Sequence, residues 1–260
     1  MTSVKTVSLF QTNFDAIRMP EAVDRLWQWI EADQAECQYV VTPNVDHAVM
    51  LSESPELREI YDAAGMVLAD GWPVVSASRW LGRPVPERVA GSDLVPELLA
   101  SARGDRPVSV FLLGGMPGVA QRAADQIHRR WPHADVCGTY SPPLGFEHDA
   151  AENQRIVAMV NDASPDVLVL GLGAPKQELW IHRHSAKLNT KVALCVGATI
   201  DFLAGEKRRA PRWAQALRME WLHRLLSEPR RLAGRYAKDA WVFPQLVFRE
   251  WWGARRHTSG

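Results

Sequence analysis

Short apolar runs that alternate with amphipathic stretches constrain the fold of this 260-residue chain more than any other feature. The runs that read as strands are QYVVT (38–42), MVLAD (66–70), RPVSVFLLGG (106–115), ADVCGTY (134–140), PDVLVLGLG (165–173) and KVALCVGA (191–198). Helical spacing follows them, for example in 117–131 (with Pro117 in its first turn), 152–164 and 175–188. Short strands joined by helices predict an α/β fold built on a parallel sheet with helices on both faces.

Composition excludes several classes of protein. The three cysteines, Cys37, Cys137 and Cys195, are far apart, which argues against a disulfide framework and against a cysteine zinc site. A reducing cytoplasm fits this cysteine usage best. The N-terminus lacks the pattern of a signal peptide, and no apolar run approaches the roughly 18 residues that a membrane span needs. No set of side chains has metal-ligand spacing, so we expect no metal and no other cofactor.

The zero net charge hides an asymmetry along the chain. Residues 207–260 contain 13 Lys and Arg against 4 Asp and Glu, and the rest of the chain contains 17 against 26. The same segment holds five of the eleven tryptophans, and helical patterns replace strands after Gly205. We therefore predict an α/β domain over 1–205 and a basic, tryptophan-rich helical appendage over 206–260. Within it, Trp213, Leu217, Trp221 and Leu225 recur every four residues and form one stripe on a predicted helix. Such an appendage suits an anionic membrane surface, although an ordinary helix packed on the core would show the same stripe.

Three glycine-containing turns follow predicted strands, in LLGGMPG (112–118), LGLGAPKQE (170–178) and CVGATIDFLAG (195–205). Ligands of open α/β sheets bind where such turns lie, at the carboxyl ends of the strands. Glycines allow close approach and helix N-termini attract anions, so a phosphate group is the natural ligand. Tight turns without any ligand are the alternative. The candidate phosphate-facing glycines are Gly114, Gly115, Gly171 and Gly173.

The second of these turns argues against a nicotinamide enzyme. Gly171 and Gly173 form GxG, but Lys176 replaces the third glycine of GxGxxG, and no Walker loop is present. Lys176, Gln177 and Glu178 fall in the first turn of the next predicted helix. They either face a diphosphate or a sugar, or form an ordinary polar helix surface.

Polar side chains also follow the first two predicted strands. Asp70 ends an apolar run, where a carboxylate is costly to bury unless it faces a cleft. Thr42 and Asn44 follow the first strand and would either cap the next helix or face the same cleft. Arg88 precedes a glycine turn and would bind a phosphate or carboxylate ligand, or pair with a nearby acid.

The order of the motifs is more specific than any one of them. TPNVD, ADGWPVV, ERVAGSDL, FLLGGMPG, GTYSPPLGF, LGLGAPKQE, VGATIDFLAG and RAPRW…EWLHRLLSEPRRL…RY occur in that order between about residues 10 and 248. This order resembles the WecG/TagA/CpsF family of bacterial glycosyltransferases. The resemblance implies a Rossmann-like α/β domain with a C-terminal appendage. It also implies inverting, β-linkage-forming transfer from a UDP-sugar to a sugar on a polyprenyl diphosphate, at the cytoplasmic membrane face and for cell-surface or extracellular polysaccharide.

The resemblance also implies roles for individual residues. Asp70 would be the general base, and Thr42 with Asn44 would hold Asp70 or the acceptor sugar. Arg88 would bind diphosphate, and Gln177 beside Lys176 would contact the donor. The appendage arginines expected near the leaving UDP are Arg224, Arg231 and Arg235. Gly234 departs from the family, in which a further basic residue is common before RY.

The sequence-based hypothesis is thus a peripheral membrane glycosyltransferase with a UDP-sugar donor, a polyprenyl-diphosphate-linked acceptor, no nucleic-acid partner and no assigned oligomeric state. Two other classes stay open at this point. One is another nucleotide-sugar enzyme, such as an epimerase or dehydrogenase, and the other is a non-enzymatic membrane-binding module.

Overall fold

The computed structural model describes residues 5–32, 36–101, 107–207, 210–211, 214 and 219–257. A hairpin of β1 (Thr6–Leu9) and β2 (Thr12–Asp15) opens the chain. Then follow α1 (Met19–Glu31), β3 (Gln38–Val41), α2 (Val45–Glu53), α3 (Pro55–Asp62), β4 (Met66–Val67), α4 (Trp72–Trp80), α5 (Gly91–Ala100), β5 (Val108–Gly114), α6 (Val119–Arg130), β6 (Ala134–Tyr140), α7 (Ala150–Ala163), β7 (Val167–Gly171), α8 (Lys176–His184), β8 (Val192–Cys195), α9 (Thr199–Ala204), α10 (Glu220–Ser227) and α11 (Pro229–His257).

Six of these strands form one parallel sheet in the order β4-β3-β8-β7-β5-β6. Its central strands are apolar on both faces because helices cover both. Along β7, Leu168 and Leu170 face one apolar cluster, whereas Val167 and Val169 face the other. The predicted Rossmann-like α/β fold is confirmed.

The strand order reverses between β5 and β7. The chain leaves β5 toward β6 at one edge, and it leaves β7 toward β8 in the opposite direction. Right-handed crossovers then place the following helices on opposite faces of the sheet. Ala123 of α6 packs in one apolar cluster and Ile181 of α8 packs in the other. Such a reversal opens a crevice at the carboxyl ends of the two strands, where ligands of this architecture bind.

The long C-terminal helix α11 packs on the body of the protein. Phe243 and Leu246 are buried in the same apolar cluster as α8, and the Phe243 ring lies 5.1 Å from that of Phe10. The Lys238 ammonium pairs with the Glu53 carboxylate of α2 at 2.8 Å. The domain boundary near residue 205 stays a prediction. None of the helices in the described residues combines the length and hydropathy that a membrane crossing requires.

Three predicted boundaries differ from the structure. The strand expected to reach Asp70 ends at Val67, although extended backbone continues and Asp70 N–H donates to the Pro43 carbonyl at 2.9 Å. The helix expected to include Pro117 begins at Val119, because Gly118 caps it with a left-handed φ of 82°. The helix expected over 175–188 ends at His184 and continues as a short 3-10 turn over Ser185–Lys187. These differences move no candidate residue to another edge of the sheet.

Candidate active site

A cleft of about 590 Å³ lies at the carboxyl ends of β3, β5, β7 and β8. This volume is within the range of about 300–1,000 Å³ that is typical of small-molecule sites. Most of the predicted site residues line it: Thr42, Asn44, Asp70, Gly114, Gly115, Gly171, Gly173, Lys176, Gln177 and Arg235. The fold therefore brings together side chains that are up to 193 positions apart in the printed sequence.

The glycine turns form the floor of the cleft at the β5–β7 reversal. A Cβ added to Gly114 would lie 2.5 Å from the Gly171 carbonyl group, and Gly114 has a φ of 128°. A Cβ added to Gly171 would lie 2.8 Å from the Ile200 side chain. Only glycine lets the two strands and α9 approach this closely. The floor is consequently backbone, which is suited to close approach by a phosphate or sugar.

Asp70 lies beside Arg88 on one wall of the cleft. The Asp70 side chain is 25% exposed, and its Oδ1 lies 3.6 Å from Nη1 of Arg88. Val89 N–H donates to the Ala69 carbonyl at 2.9 Å, which holds the two segments together. Asp70 is therefore a carboxylate that is open to the cleft and has a cation behind it.

Arg88 does not line the cleft and instead contacts several carboxylates. Its guanidinium lies 2.7 Å from Asp93, 3.6 Å from Asp70 and 3.7 Å from Glu220 of α10. Burial lowers the pKa of Arg88, but the charges of Asp70, Glu220 and Asp93 raise it more, so the net shift is upward. Of the two predicted roles, the structure shows the pairing with acids, and binding of a diphosphate remains a prediction.

Thr42 and Asn44 fix the turn that follows β3. The Thr42 hydroxyl is buried and donates to the Cys195 carbonyl of β8 at 3.2 Å. Asn44 caps α2, and its Oδ1 accepts from the N–H groups of Asp46 at 3.0 Å and His47 at 3.4 Å. The capping alternative thus applies to Asn44, whereas Thr42 joins neighbouring strands.

Gln177 and Glu178 hold two of the turns together. Gln177 is buried, and its Oε1 accepts from Gly197 N–H at 3.2 Å, while its Nε2 donates to Glu178 at 2.9 Å. Glu178 is only 1% exposed and lies behind the cleft wall, where its Oε1 is 3.6 Å from Nε2 of His47. The structure therefore places the predicted substrate ligand Glu178 out of reach of a substrate, because the β7–α8 turn directs it into the protein.

The cations that line the cleft are each paired with carboxylates. Lys176 lies 2.5 Å from Glu147, and Arg235 lies 3.2 Å from Asp46. Lys207 lies 3.1 Å from both Asp201 and Glu228. A bound diphosphate would compete with these carboxylates for the same cations.

The chain matches the family model described as "Glycosyl transferase WecG/TagA/CpsF family" over residues 7–257, a span that includes every residue of the cleft. The chain belongs to this family. Relatives from Staphylococcus aureus strains MRSA252, MW2 and COL are each 28% identical over 230 residues, which cover 87% of this chain and 86% of the relative. Each is named N-acetylglucosaminyldiphosphoundecaprenol N-acetyl-beta-D-mannosaminyltransferase. The resemblance to the WecG/TagA/CpsF family is thus confirmed, and the protein is a glycosyltransferase.

Two residues predicted from the family motifs lie partly outside the described structure. The backbones of Arg224 and Arg231 belong to α10 and α11, but their side chains are outside the described part of the chain. Trp213 and Leu217, which the helical stripe included, are outside it as well. A role for these arginines beside a leaving group stays a prediction.

Sequence reasoning missed other residues of this family member's cleft. Asp46 and His47 were not predicted as site residues, yet both line the cleft. Lys207 and Glu228 come from the segment that joins the sheet to α11 and line it too. The adjacent pair Asp46 and His47, which begins two residues after Asn44 of the TPN turn, was the available signal. Among the described residues there is no group of three or more His, Cys, Asp or Glu side chains placed to hold a metal.

Proposed function

We propose that this glycosyltransferase moves a sugar from a UDP-sugar to a saccharide linked to a polyprenyl diphosphate, with inversion at the anomeric carbon and formation of a β-linkage. The observation that carries the proposal is the meeting of Asp70 with the three glycine turns in one cleft at the strand reversal. A carboxylate on one wall and a backbone floor suited to phosphate are the parts that such a transfer needs.

In the proposed reaction, the Asp70 carboxylate accepts the proton of the attacking acceptor hydroxyl. The acceptor oxygen forms a bond to the anomeric carbon as the bond from that carbon to the UDP oxygen breaks. The electron pair of the broken bond leaves on UDP, so a single displacement inverts the centre. Asp70 is partly exposed, which lets a hydroxyl reach it, and Arg88 at 3.6 Å stabilises its charged form before the proton is taken.

The leaving UDP gains negative charge, which the cleft can stabilise in two ways. The first is the glycine floor with the N-terminus of α8, whose first residue, Lys176, lines the cleft. The second is the set of paired cations, of which Lys207 and Arg235 come from the C-terminal part of the chain. We propose that the diphosphate replaces their carboxylate partners on binding and that no metal is required.

The names of the relatives suggest which substrates to test first. The S. aureus relatives are named as N-acetyl-β-D-mannosaminyltransferases that act on N-acetylglucosaminyldiphosphoundecaprenol. We therefore take UDP-N-acetylmannosamine and an N-acetylglucosamine-diphosphopolyprenol as the leading donor and acceptor for this chain. Other UDP-hexoses and UDP-uronic acids serve as competitors in the same panel.

The test is UDP release by the purified protein, measured in detergent with a chelator present, for each UDP-sugar with and without the synthetic lipid acceptor. We expect release from one donor, only when the acceptor is present, with a β-linked product by NMR. Release that needs a divalent cation would contradict the metal-independent mechanism. Absence of release from every donor, together with no UDP binding by calorimetry, would contradict the proposed activity.

An exposed aromatic cluster on α4 and α11 supports a peripheral membrane location. The Trp80 and Trp251 rings stack with centroids 5.9 Å apart, and Phe248 lies 6.0 Å from Trp252. Trp80, Phe248 and Trp252 are each about half exposed, and the Arg255 guanidinium lies 3.9 Å from the Trp251 ring. Amphipathic aromatic rings with basic neighbours are typical of surfaces that contact anionic lipid headgroups.

Replacing Trp80, Phe248 and Trp252 together by serine should weaken binding to phosphatidylglycerol vesicles by at least about tenfold, because apolar surface no longer enters the interface. Co-sedimentation measures this binding, and we expect little binding of the unaltered protein to phosphatidylcholine vesicles. Gln245→Ser is the matched control, since it changes an exposed residue of the same helix without removing a ring. Equal binding by the triple variant and the control would contradict the assignment of this surface.

A further inference from the structure

His47 lies in the first turn of α2 and contacts polar groups on two sides. Its Nδ1 is 2.9 Å from Oδ1 of Asn44, and its Nε2 is 3.6 Å from Oε1 of Glu178. The side chain is 11% exposed and lines the cleft. His47 thus connects the turn after β3 with the helix that follows β7.

The orientation of the Asn44 amide follows from its neighbours. Backbone N–H groups only donate, so the atom that faces those of Asp46 and His47 must be the amide oxygen. The other end of the amide, Nδ2, has no hydrogen-bond partner among the described residues. Asn44 lines the cleft next to Asp70, since a Cβ added to Gly71 would lie 3.7 Å from Cβ of Asn44. Nδ2 is therefore a donor available to a ligand beside Asp70.

The buried carboxylate of Glu178 favours a charged His47. Oε2 of Glu178 is buried without a hydrogen-bond partner, and Oε1 accepts from the neutral amide of Gln177. A buried carboxylate is costly unless a cation compensates it, and His47 is the titratable nitrogen group placed beside it.

Other charged groups around His47 act in the same direction on balance. Asp46 of α2 and Asp70 after β4 favour the imidazolium. Asp239 of α11 interacts with it too, and Arg235 of the same helix pairs with Asp46. Burial lowers the pKa of His47. The hydrogen bond and charge of Glu178, followed by the charges of Asp46 and Asp70, together raise this pKa by more than burial lowers it. The net shift is upward from the ordinary value of 6.5.

We propose that His47, held as an imidazolium by Glu178, is a positioning residue that fixes the Asn44 amide so that Nδ2 donates to an oxygen of the acceptor sugar beside Asp70. This inference rests on the proposed function, because it assigns the acceptor to the Asp70 side of the cleft. In the charged state both ring nitrogens carry protons, so Nδ1–H donates to Asn44 Oδ1 and Nε2–H points at Glu178.

Loss of the His47 proton reverses one of these contacts. A neutral ring that keeps its proton on Nε2 presents a lone pair on Nδ1, 2.9 Å from the lone pairs of Asn44 Oδ1. That ring accepts instead from the Asn44 backbone N–H, which is 3.4 Å away. The amide then loses one of its three donors and gains a repulsion, so its Nδ2 no longer points reliably at the acceptor.

The experiment compares kcat against pH for the unaltered protein, Glu178→Gln and His47→Ala at saturating donor. We expect kcat to fall at alkaline pH as His47 loses its proton. Glu178→Gln keeps an acceptor for Gln177 but removes the charge, so the alkaline limb should move to lower pH by about one unit, which is about a tenfold lower rate at a pH on that limb. His47→Ala should remove the limb and lower the plateau by up to about 10²-fold, with the KM for the donor little changed.

The matched control is Asp135→Asn, which removes the carboxylate 3.7 Å from the exposed His128 of α6 and should leave the profile unchanged, because neither residue lines the cleft. NMR titration of labelled histidine rings reads the His47 pKa without turnover, with the signal assigned by its absence in His47→Ala. A neutral His47 at pH 7, or an alkaline limb that Glu178→Gln leaves in place, would overturn the inference while the transferase activity stands. Absence of transfer by the unaltered protein contradicts the proposed function instead.

Discussion

Replacing Asp70 by asparagine should lower kcat by about 10²–10⁴-fold, which is the contribution that a general base makes. Asparagine has nearly the same shape and keeps an oxygen near Arg88, but it cannot accept the proton of the acceptor hydroxyl. The affinity for UDP should stay close to that of the unaltered protein, because the glycine floor is unchanged. UDP release under saturating substrates measures the first quantity, and calorimetric titration with UDP measures the second.

Asp93→Asn is the matched control for this prediction. Asp93 also pairs with Arg88, at 2.7 Å, and it does not line the cleft. Like Asp70→Asn, this replacement removes one negative charge from beside Arg88, but it leaves the proposed reacting atoms in place. We therefore expect kcat to change by less than about tenfold. Near-normal turnover by Asp70→Asn, or equal losses in the two variants, would reject Asp70 as the base.

Gly114→Ala should lower the free energy of unfolding by about 3 kcal/mol or more. The added Cβ would lie 2.5 Å from the Gly171 carbonyl group, which is backbone and cannot move aside without separating β5 from β7. The φ of 128° adds strain, since L-residues rarely adopt it. The same displacement would widen the floor of the cleft, so we also expect weaker UDP binding. Thermal unfolding should show a Tm lower by at least about 6 °C.

Gly145→Ala is the matched control, because it distinguishes the steric clash of an added Cβ from the strain of a positive φ. Gly145 lines the same cleft with a φ of 84°, but an added Cβ would meet nothing within 4 Å. We expect a loss of only about 1 kcal/mol there, from the left-handed conformation alone. If the two variants lost the same stability, close strand approach would not be the reason for glycine at 114.

The paired cations of the cleft suggest how the protein stays stable before it binds a substrate. Lys207 and Arg235 each contact a carboxylate that also lines the cleft, so the positive charges that we propose bind a diphosphate do not repel one another in its absence. Asp239 is buried on α11, and the charge of Asp46 acts on it. Burial and the charge of Asp46 raise the pKa of Asp239 to about 6.

The parallel sheet was predictable because its signal is local. Fully buried strands such as VLVLG must be apolar at every position, and the intervening helices must be amphipathic, so both patterns are visible in the sequence. The short β1–β2 hairpin was not predicted, since strands of this length have little periodicity. Strand β4 was predicted within MVLAD (66–70) but is shorter in the structure. The glycine turns, Asp70 and the TPN turn were found because each follows a strand directly.

What the sequence alone determined is the set of chemical groups and the edge of the sheet to which they belong, because residues after parallel strands share that edge. Only the tertiary structure decided what each side chain contacts. It directed Glu178 inward to His47 and surrounded Arg88 with carboxylates, although both residues look like ligands in the sequence. Such contacts join residues that lie far apart in the chain, as His47 and Glu178 do, and their distances depend on how helices pack across the sheet. No local pattern carries that information.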